Sequence, residues 1–208
     1  MAGLRERKKQ RTRRALAEAA LRLFRTKGYE ETTIAEIAAE AEVSTRTFFS
    51  YFASKEDVIF YDGPERMASH LALVLARRPG EPPADLLMRV IHDGLGAVAG
   101  EDAFDLLSRA RLELMMSVPA LQARALRLLF DSQLELAHAL REAYPGELDT
   151  VQAAAAVGSL IGAVKLAAMT SLSEGDSPEQ VLESVRRAAD IAVSGLGSLT
   201  GTVHERSA

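Results

Sequence analysis

Arg46, flanked by Thr45 and Thr47 and followed by Phe49 and Ser50, heads the residue group in this chain best suited to chemistry. An arginine presents five N–H donors in a planar fork, and threonine and serine add hydroxyls that donate or accept. On one face of a helix such groups can bond the edges of stacked bases, with guanine O6 and N7 the natural match for the arginine. A phosphate oxygen is the other partner open to Arg46. Phe49 has no polar side-chain atom, so it can touch a thymine methyl or else cover the edge of its own core. The chemistry implied is recognition rather than bond-making.

Those side chains need a helix held from behind. Ser44 or Thr45 can cap it by accepting a backbone N–H, and Phe48 and Phe52, one turn apart, face inward. Upstream, Thr32 or Thr33 can cap a helix whose Ile34, Ile37, Ala38 and Ala41 fall at i, i+3, i+4 and i+7. Between the two, Glu42-Val43-Ser44 leaves room only for a sharp corner. Thr32–Lys55 therefore reads as a helix-turn-helix, and its expected partner is double-stranded DNA. A preceding helix over Arg13–Lys27 puts Leu16, Ala19, Ala20, Leu23 and Phe24 on one face and ends at Gly28. The expected core of this three-helix domain is Leu16, Ala20, Leu23, Phe24, Ile34, Ile37, Ala38, Val43, Phe48 and Phe52.

Charge is divided along the chain. The net charge is −4, yet residues 1–55 carry 12 Lys/Arg against 7 Asp/Glu, and residues 56–208 carry 13 against 22. Leu4–Arg14 holds seven basic residues, Arg11 and Arg13 among them, and one acid, Glu6. Such an arm is either a solvated tail or, placed before a helix-turn-helix, a contact to the DNA backbone or a minor groove. An acidic body repels phosphate and orients the encounter.

Nearly half the 208 residues are apolar, with few aromatics, which favours helix over strand. No unbroken run of 18 apolar residues suggests a membrane span, no apolar leader follows the charged N-terminus, and cysteine is absent. A cytoplasmic protein without disulfides or thiolate metal sites is expected. No phosphate-cradling glycine loop, no nucleophile elbow and no histidine ligand spacing appears, so neither an enzyme nor a metal or cofactor is expected.

Beyond the reader, Ser54-Lys55-Glu56-Asp57 reads as a capping box opening a fourth helix that kinks or breaks near Asp62-Gly63-Pro64. Further helices are expected over Pro83–Ala99, Asp102–Met116, Ala120–Tyr144, Leu148–Leu172 and Pro178–Leu199. The division is a basic arm (1–14), a helix-turn-helix domain (15–55), a helical ligand-binding and dimerisation domain (56–199) and a flexible tail (200–208), all-α with about nine helices in total. Small residues over Ala153–Ala168, with Gly158 and Gly162, and Val181, Val185, Ala188 and Ala192 on the last helix, suit either intrachain packing or a second copy of the chain. Two-fold DNA sites are matched by two-fold proteins, which makes the helices at about 148–172 and 178–199 the candidate homodimer contact.

Across residues 10–60 the chain resembles the TetR family of bacterial transcriptional regulators. The resemblance rests on Phe24, Gly28 and Tyr29, then Thr32-Thr33-Ile34, Ile37-Ala38, Val43-Ser44, Thr47-Phe48, Tyr51-Phe52 and Ser54-Lys55-Glu56. It implies a homodimeric repressor that binds a palindromic operator and is released by a small-molecule ligand. It also implies phosphate contacts at Thr33, Tyr51 and Lys55, with Thr45, Arg46 and Thr47 at bases and nearby phosphates. Ser44 and Ser50 complete the expected set. Phe49 stands where the family commonly has Tyr, Glu42 where it often has a turn glycine, and Ala35 where some relatives carry a long polar residue that reads a base.

For the ligand, candidate lining residues are His92, Phe104, Arg109, Met115, Gln133, His138 and Met169, with Arg111 and Met116 nearby in sequence. Arg109 and Arg111 are two apart and point to different sides of a helix. Aromatics are few (Phe104, Phe130, Tyr144), which favours an aliphatic or acyl ligand over a flat cation stacked in a cage. The same fold could instead serve an activator or a ligand-independent nucleoid or interaction protein.

Overall fold

The computed structural model describes residues 2–99 and 106–196, so Phe104 and the tail at 200–208 lie outside the described residues, as does the side chain of Arg109. Among the described residues the chain is all-helical, with nine α-helices, one 3₁₀ turn and no strand. The elements are α1 (Ala2–Thr26), α2 (Ile34–Glu40), α3 (Thr45–Phe49), a 3₁₀ turn (Asp57–Phe60), α4 (Gly63–Leu75), α5 (Pro83–Ala99), α6 (Leu106–Ser117), α7 (Pro119–Ala143), α8 (Thr150–Ser173) and α9 (Pro178–Leu196).

Two boundaries differ from the sequence reading for clear physical reasons. The first helix begins at Ala2 rather than Arg13. Between those positions only Gly3 disfavours helix, and good helix formers with i,i+4 bonds carry it through, Gln10 to Glu6 and Thr12 to the Lys8 carbonyl. The expected fourth helix instead opens as the 3₁₀ turn, where the Ser54 hydroxyl accepts from the Asp57 amide at 3.4 Å. The chain then breaks before Gly63 as expected and continues as α4.

The chain forms two compact units, Met1–Pro64 with Ala103–Leu128 and Glu65–Asp102 with Leu129–Ala208. In the first unit the core is Leu16, Ala20, Phe24, Ile37, Ala38, Phe48 and Phe52, joined by Tyr29, Val58, Ile59 and Leu121. Leu23, Ile34 and Val43 pack against its edge. Each fully buried Leu, Ile or Phe there contributes about 1.5–3 kcal/mol.

In the second unit Leu86, Leu87 and Val90 of α5 pack with Leu136 and Leu140 of α7, Val157, Leu160 and Val164 of α8 and Val185 and Ala189 of α9. Arginines close its helix ends. Arg77 lies 3.8 Å from the centroid of the Tyr144 ring and donates to the Ala143 carbonyl at the end of α7. Arg89 pairs with Glu81 at 2.9 Å and reaches the Leu73 and Ala76 carbonyls at the end of α4. Tyr144, fully buried, donates to the Glu81 carbonyl at 2.8 Å and so is a core residue.

By length and composition α8 is long and apolar enough to cross a membrane. No unbroken apolar run marks it in the sequence, because Ser159, Lys165 and Thr170 interrupt it. One side of α8, through Ala153, Ala156, Val157, Leu160 and Val164, builds the second core.

Candidate nucleic-acid interface

The reading face is built from caps and two phenylalanines. Thr33 caps α2 in a reciprocal box, its hydroxyl accepting from the Glu36 amide at 3.3 Å while Glu36 accepts from the Thr33 amide at 3.0 Å. Lys27 pairs with Glu36 at 2.6 Å. That partner and the bonds from Thr33 hold the Glu36 carboxyl down at about 2. Thr32, the other candidate cap, is buried and donates to the Gly28 carbonyl at 2.7 Å.

At the far end of α2 the Glu42 amide bonds the Ala39 carbonyl and the Val43 amide the Ala38 carbonyl. That pair of bonds is a Schellman closure, and it needs a left-handed residue, supplied by Glu42 at φ 56°. Ser44 then caps α3, accepting from the Thr47 amide at 3.0 Å.

On α3, Phe48 is fully buried, and Phe52 lies beside it at 5.7 Å between ring centroids. Phe49 stands 57% exposed and meets Phe48 edge-on. Ser44, Thr45, Arg46 and Ser50 are exposed, and Thr47 is half-buried. The Ser44 and Thr47 hydroxyls are 2.8 Å apart and Ser50 donates to the Thr47 carbonyl at 2.6 Å. Thr45 and Arg46 have no side-chain hydrogen bond among the described residues, which leaves their donors for an outside partner. Three of the five residues singled out for their chemistry are thus tied into the fold in part, and two are wholly presented.

The other expected contacts divide. Arg11 is exposed on α1, whereas Arg13 is half-buried with its guanidinium 5.5 Å from the centroid of the Phe52 ring. Tyr51 is half-buried against the first core. Lys55 donates to the Tyr29 carbonyl at 2.9 Å and lies 4.1 Å from the centroid of the Tyr29 ring. The Tyr29 hydroxyl in turn donates to Glu56. Burial and the neighbouring carboxylate push the Tyr29 phenol up. Nothing in a periodicity argument could have found this cluster, since Tyr29 lies in a turn.

The expected ligand residues fall in both units. Met115 packs against the core of the first unit, while His92, Gln133, His138 and Met169 belong to the second. Both histidines and Met169 are exposed, and Gln133 is half-buried. No hydrogen bond among the described residues joins any of these. Arg111, close to them in sequence, pairs instead with Asp62 at 3.0 Å and stacks on Tyr61. A cleft on the α4–α5 connection is lined by Arg78, Pro79, Gly80, Glu81, Asp85 and Arg89, none of them foreseen.

Residues 16–61, the first core with its capped α2 and α3, match the family described as bacterial regulatory proteins, tetR family. The match is confined to this segment, so the family resemblance is shown for the helix-turn-helix unit. The matched segment holds the helix-turn-helix formed by α2 and α3. Among curated relatives, the HTH-type transcriptional regulator TcmR of Streptomyces glaucescens is 39% identical over 128 residues, 60% of this chain and 57% of that protein. HbdR of Aromatoleum sp. (strain CIB) is 46% identical over 48 residues, 23% of this chain and 21% of that protein. The chain thus spans little more than half the length of the first of these relatives and about a fifth of the second. Two solved TetR-family structures share the fold across most of the chain. One, from Mesorhizobium loti, has a TM-score of 0.58 and 20% identity, covering 91% of this chain and 96% of that one. The other, Thermus thermophilus FadR in complex with lauroyl-CoA, has a TM-score of 0.54 and 24% identity, covering 88% and 94%.

Proposed function

We propose that this chain is a TetR-family transcriptional regulator, a repressor that binds a palindromic operator as a homodimer in the cytoplasm and is released by a small-molecule ligand. The observation that carries the DNA-reading part is the outward face of α3. Thr45 and Arg46 stand exposed and unbonded among the described residues, while Phe48 and Phe52 hold the helix from behind. Arg46 reads a base edge, bidentate on a guanine, Thr45 and Thr47 contact bases and nearby phosphates, and Phe49 meets a thymine methyl. Thr33, Ser44, Ser50, Tyr51 and Arg11 supply backbone contacts that set the register, with Arg13 packed behind them on Phe52. The second unit, with 129–196 at its centre, serves as the ligand and dimer domain.

Dimerisation is supported by α8. Val151, Ala155, Ser159, Gly162, Leu166 and Met169 follow a three-four spacing, and all six are exposed. A stripe of apolar and small residues with that period is the seam by which two helices associate, and glycine and alanine allow close backbone approach. An aliphatic or acyl ligand suits a second unit built from Leu, Val and Ala, and the fold neighbour FadR holds lauroyl-CoA.

The test is selection of bound sequences from random DNA with the purified full chain. Recovery of an inverted repeat supports the reading, and recovery of unrelated sequences overturns it. The position of that repeat relative to a promoter then separates repressor from activator. A thermal-shift screen with lauroyl-CoA tests the ligand class, because a ligand at 100 times its Kd stabilises by about 2.7 kcal/mol.

A further inference from the structure

Leu126, Phe130 and Leu134 stand four residues apart along α7, and they are 66%, 62% and 45% exposed. That spacing sets them in one ridge of the helix surface. Leu136, Ala137 and Leu140 of the same helix are packed in the second core, so α7 is well held while this ridge stays bare. Single apolar side chains on a surface are ordinary, but three large ones in one row mark a place where something docks. Beside the row run Arg127, Asp131 and Glu135, all exposed and again four residues apart. None of these three has an ion pair or side-chain hydrogen bond among the described residues, although Arg127 and Asp131 are spaced to pair within the helix.

We infer that this row is a second contact between copies of the chain, in which two α7 helices cross antiparallel about a two-fold axis at Phe130. The order of the charges decides the occupant. A two-fold axis running across the helices sets each flank against the same flank of the partner, with the direction reversed. Leu126 then meets the partner's Leu134, and Phe130 meets the partner's Phe130. Arg127 falls between the partner's Asp131 and the partner's Glu135, and the same pairing repeats by symmetry. A parallel pair would carry the charged flank to the partner's Leu129 and the partner's Gln133, where no countercharge waits. Ridges with four-residue spacing interdigitate at about −50° between helix axes, which confines the contact to these few turns.

This contact goes beyond the α8 seam proposed above. A dimer made through α8 carries two α7 rows, so the α7 contact joins one dimer to another. Three large side chains a copy make a small interface, and small interfaces are weak in free solution. On DNA, dimers held at neighbouring operators meet at an effective concentration in the millimolar range, where a weak contact closes.

Sedimentation of the full chain from micromolar to millimolar concentration tests the contact without DNA. Wild type should rise from dimer mass toward tetramer mass, and Phe130→Glu should stay a dimer throughout. Leu166→Glu, which breaks the α8 seam, should rise from monomer to dimer, so failure of the α8 reading is told apart from failure of this one. Arg127→Glu should abolish the rise, and adding Asp131→Lys and Glu135→Lys to it should restore the rise, because reversing every charge keeps the pairing. A wild type that never exceeds dimer mass overturns the contact, as does a charge-reversed chain that fails to associate. The unfolding midpoint of Phe130→Glu at micromolar concentration should match wild type. A clear fall would mean that the chain's own residues cover the row, and that also overturns the proposal. On DNA carrying two selected operators, wild type should fill the sites cooperatively and Phe130→Glu independently. Independent filling by both overturns the role on DNA. A wild type that selects no operator is a failure of the DNA-reading function, and sedimentation then decides the contact alone.

Discussion

Arg124, on α7, donates to Asp57, the first residue of the 3₁₀ turn, at 2.8 Å. A second pair of the same kind, Arg111 of α6 with Asp62 at 3.0 Å, holds the other end of that segment. Leu121 of α7, fully buried, adds an apolar contact to the same core. The helix-turn-helix is therefore completed by side chains from residues 111–124 as well as by its own three helices. Arg124→Ala should destabilise the first unit by about 1–2 kcal/mol, the range for a hydrogen bond to a charged group that is partly exposed. Urea unfolding followed by a first-unit probe checks this, and a double-mutant cycle with Asp57→Asn should recover a coupling of about 1 kcal/mol.

Arg46 carries the sharpest prediction for recognition. Arg46→Ala should cost about 1–3 kcal/mol on the selected operator and much less on random DNA, because a base contact discriminates and a phosphate contact does not. Titration of both DNAs at one fixed salt concentration decides it. Equal losses would move Arg46 to the phosphate backbone.

Most of the reader was legible in the sequence because its signals are local. Caps at Thr33 and Ser44, the glycine after α1 and the inward pair Phe48 and Phe52 each follow from spacing within one or two turns. The Lys55–Tyr29–Glu56 cluster and the Arg124–Asp57 pair were not legible, since they join residues that no periodicity connects. A ligand pocket is not legible in the sequence for the same reason. A histidine or methionine on an apolar face states its chemistry but not its neighbours, and Met115 and Arg111 proved to belong to the first unit's packing.

His70 of α4 gives the second unit a pH dependence. Burial, with Arg66 and Lys165 adding to it and Asp93 opposing, holds its pKa below 6.5. The unfolded chain therefore takes up the proton first. Stability is full above the unfolded value and is lost as pH falls through the lower folded value. Denaturation midpoints should drop as pH falls below about 7, and His70→Gln should flatten that drop. A variant with the wild-type slope would assign the effect to other groups.

The α8 stripe makes a prediction about assembly. Leu166→Glu places a carboxylate in the proposed seam at a side chain that is 67% exposed in the single chain, so the fold loses little. Burying that charge against a second copy costs several kcal/mol without a partner. Light scattering should report a monomer for the variant and a dimer for the wild type. Operator affinity should fall while the helical circular dichroism signal is kept. A dimeric variant would place the interface elsewhere.

Glu42 sets two effects of known size against each other. A side chain at φ 56° costs about 1–2 kcal/mol relative to glycine. Glycine adds back about 0.5–1 kcal/mol through the entropy of the unfolded chain. Glu42→Gly should therefore stabilise the first unit by about 0.5–1 kcal/mol, read as a higher unfolding midpoint. Glu42→Asn tolerates the left-handed region while keeping more backbone restraint, so it should stabilise as well. Both variants also delete an exposed negative charge at the corner that leads into α3. Binding to operator and random DNA should tighten alike at low salt and converge with wild type as salt rises, because a single charge acts through a screened field. A fall in stability in both variants would mean that the turn does not hold Glu42 in the left-handed conformation in solution.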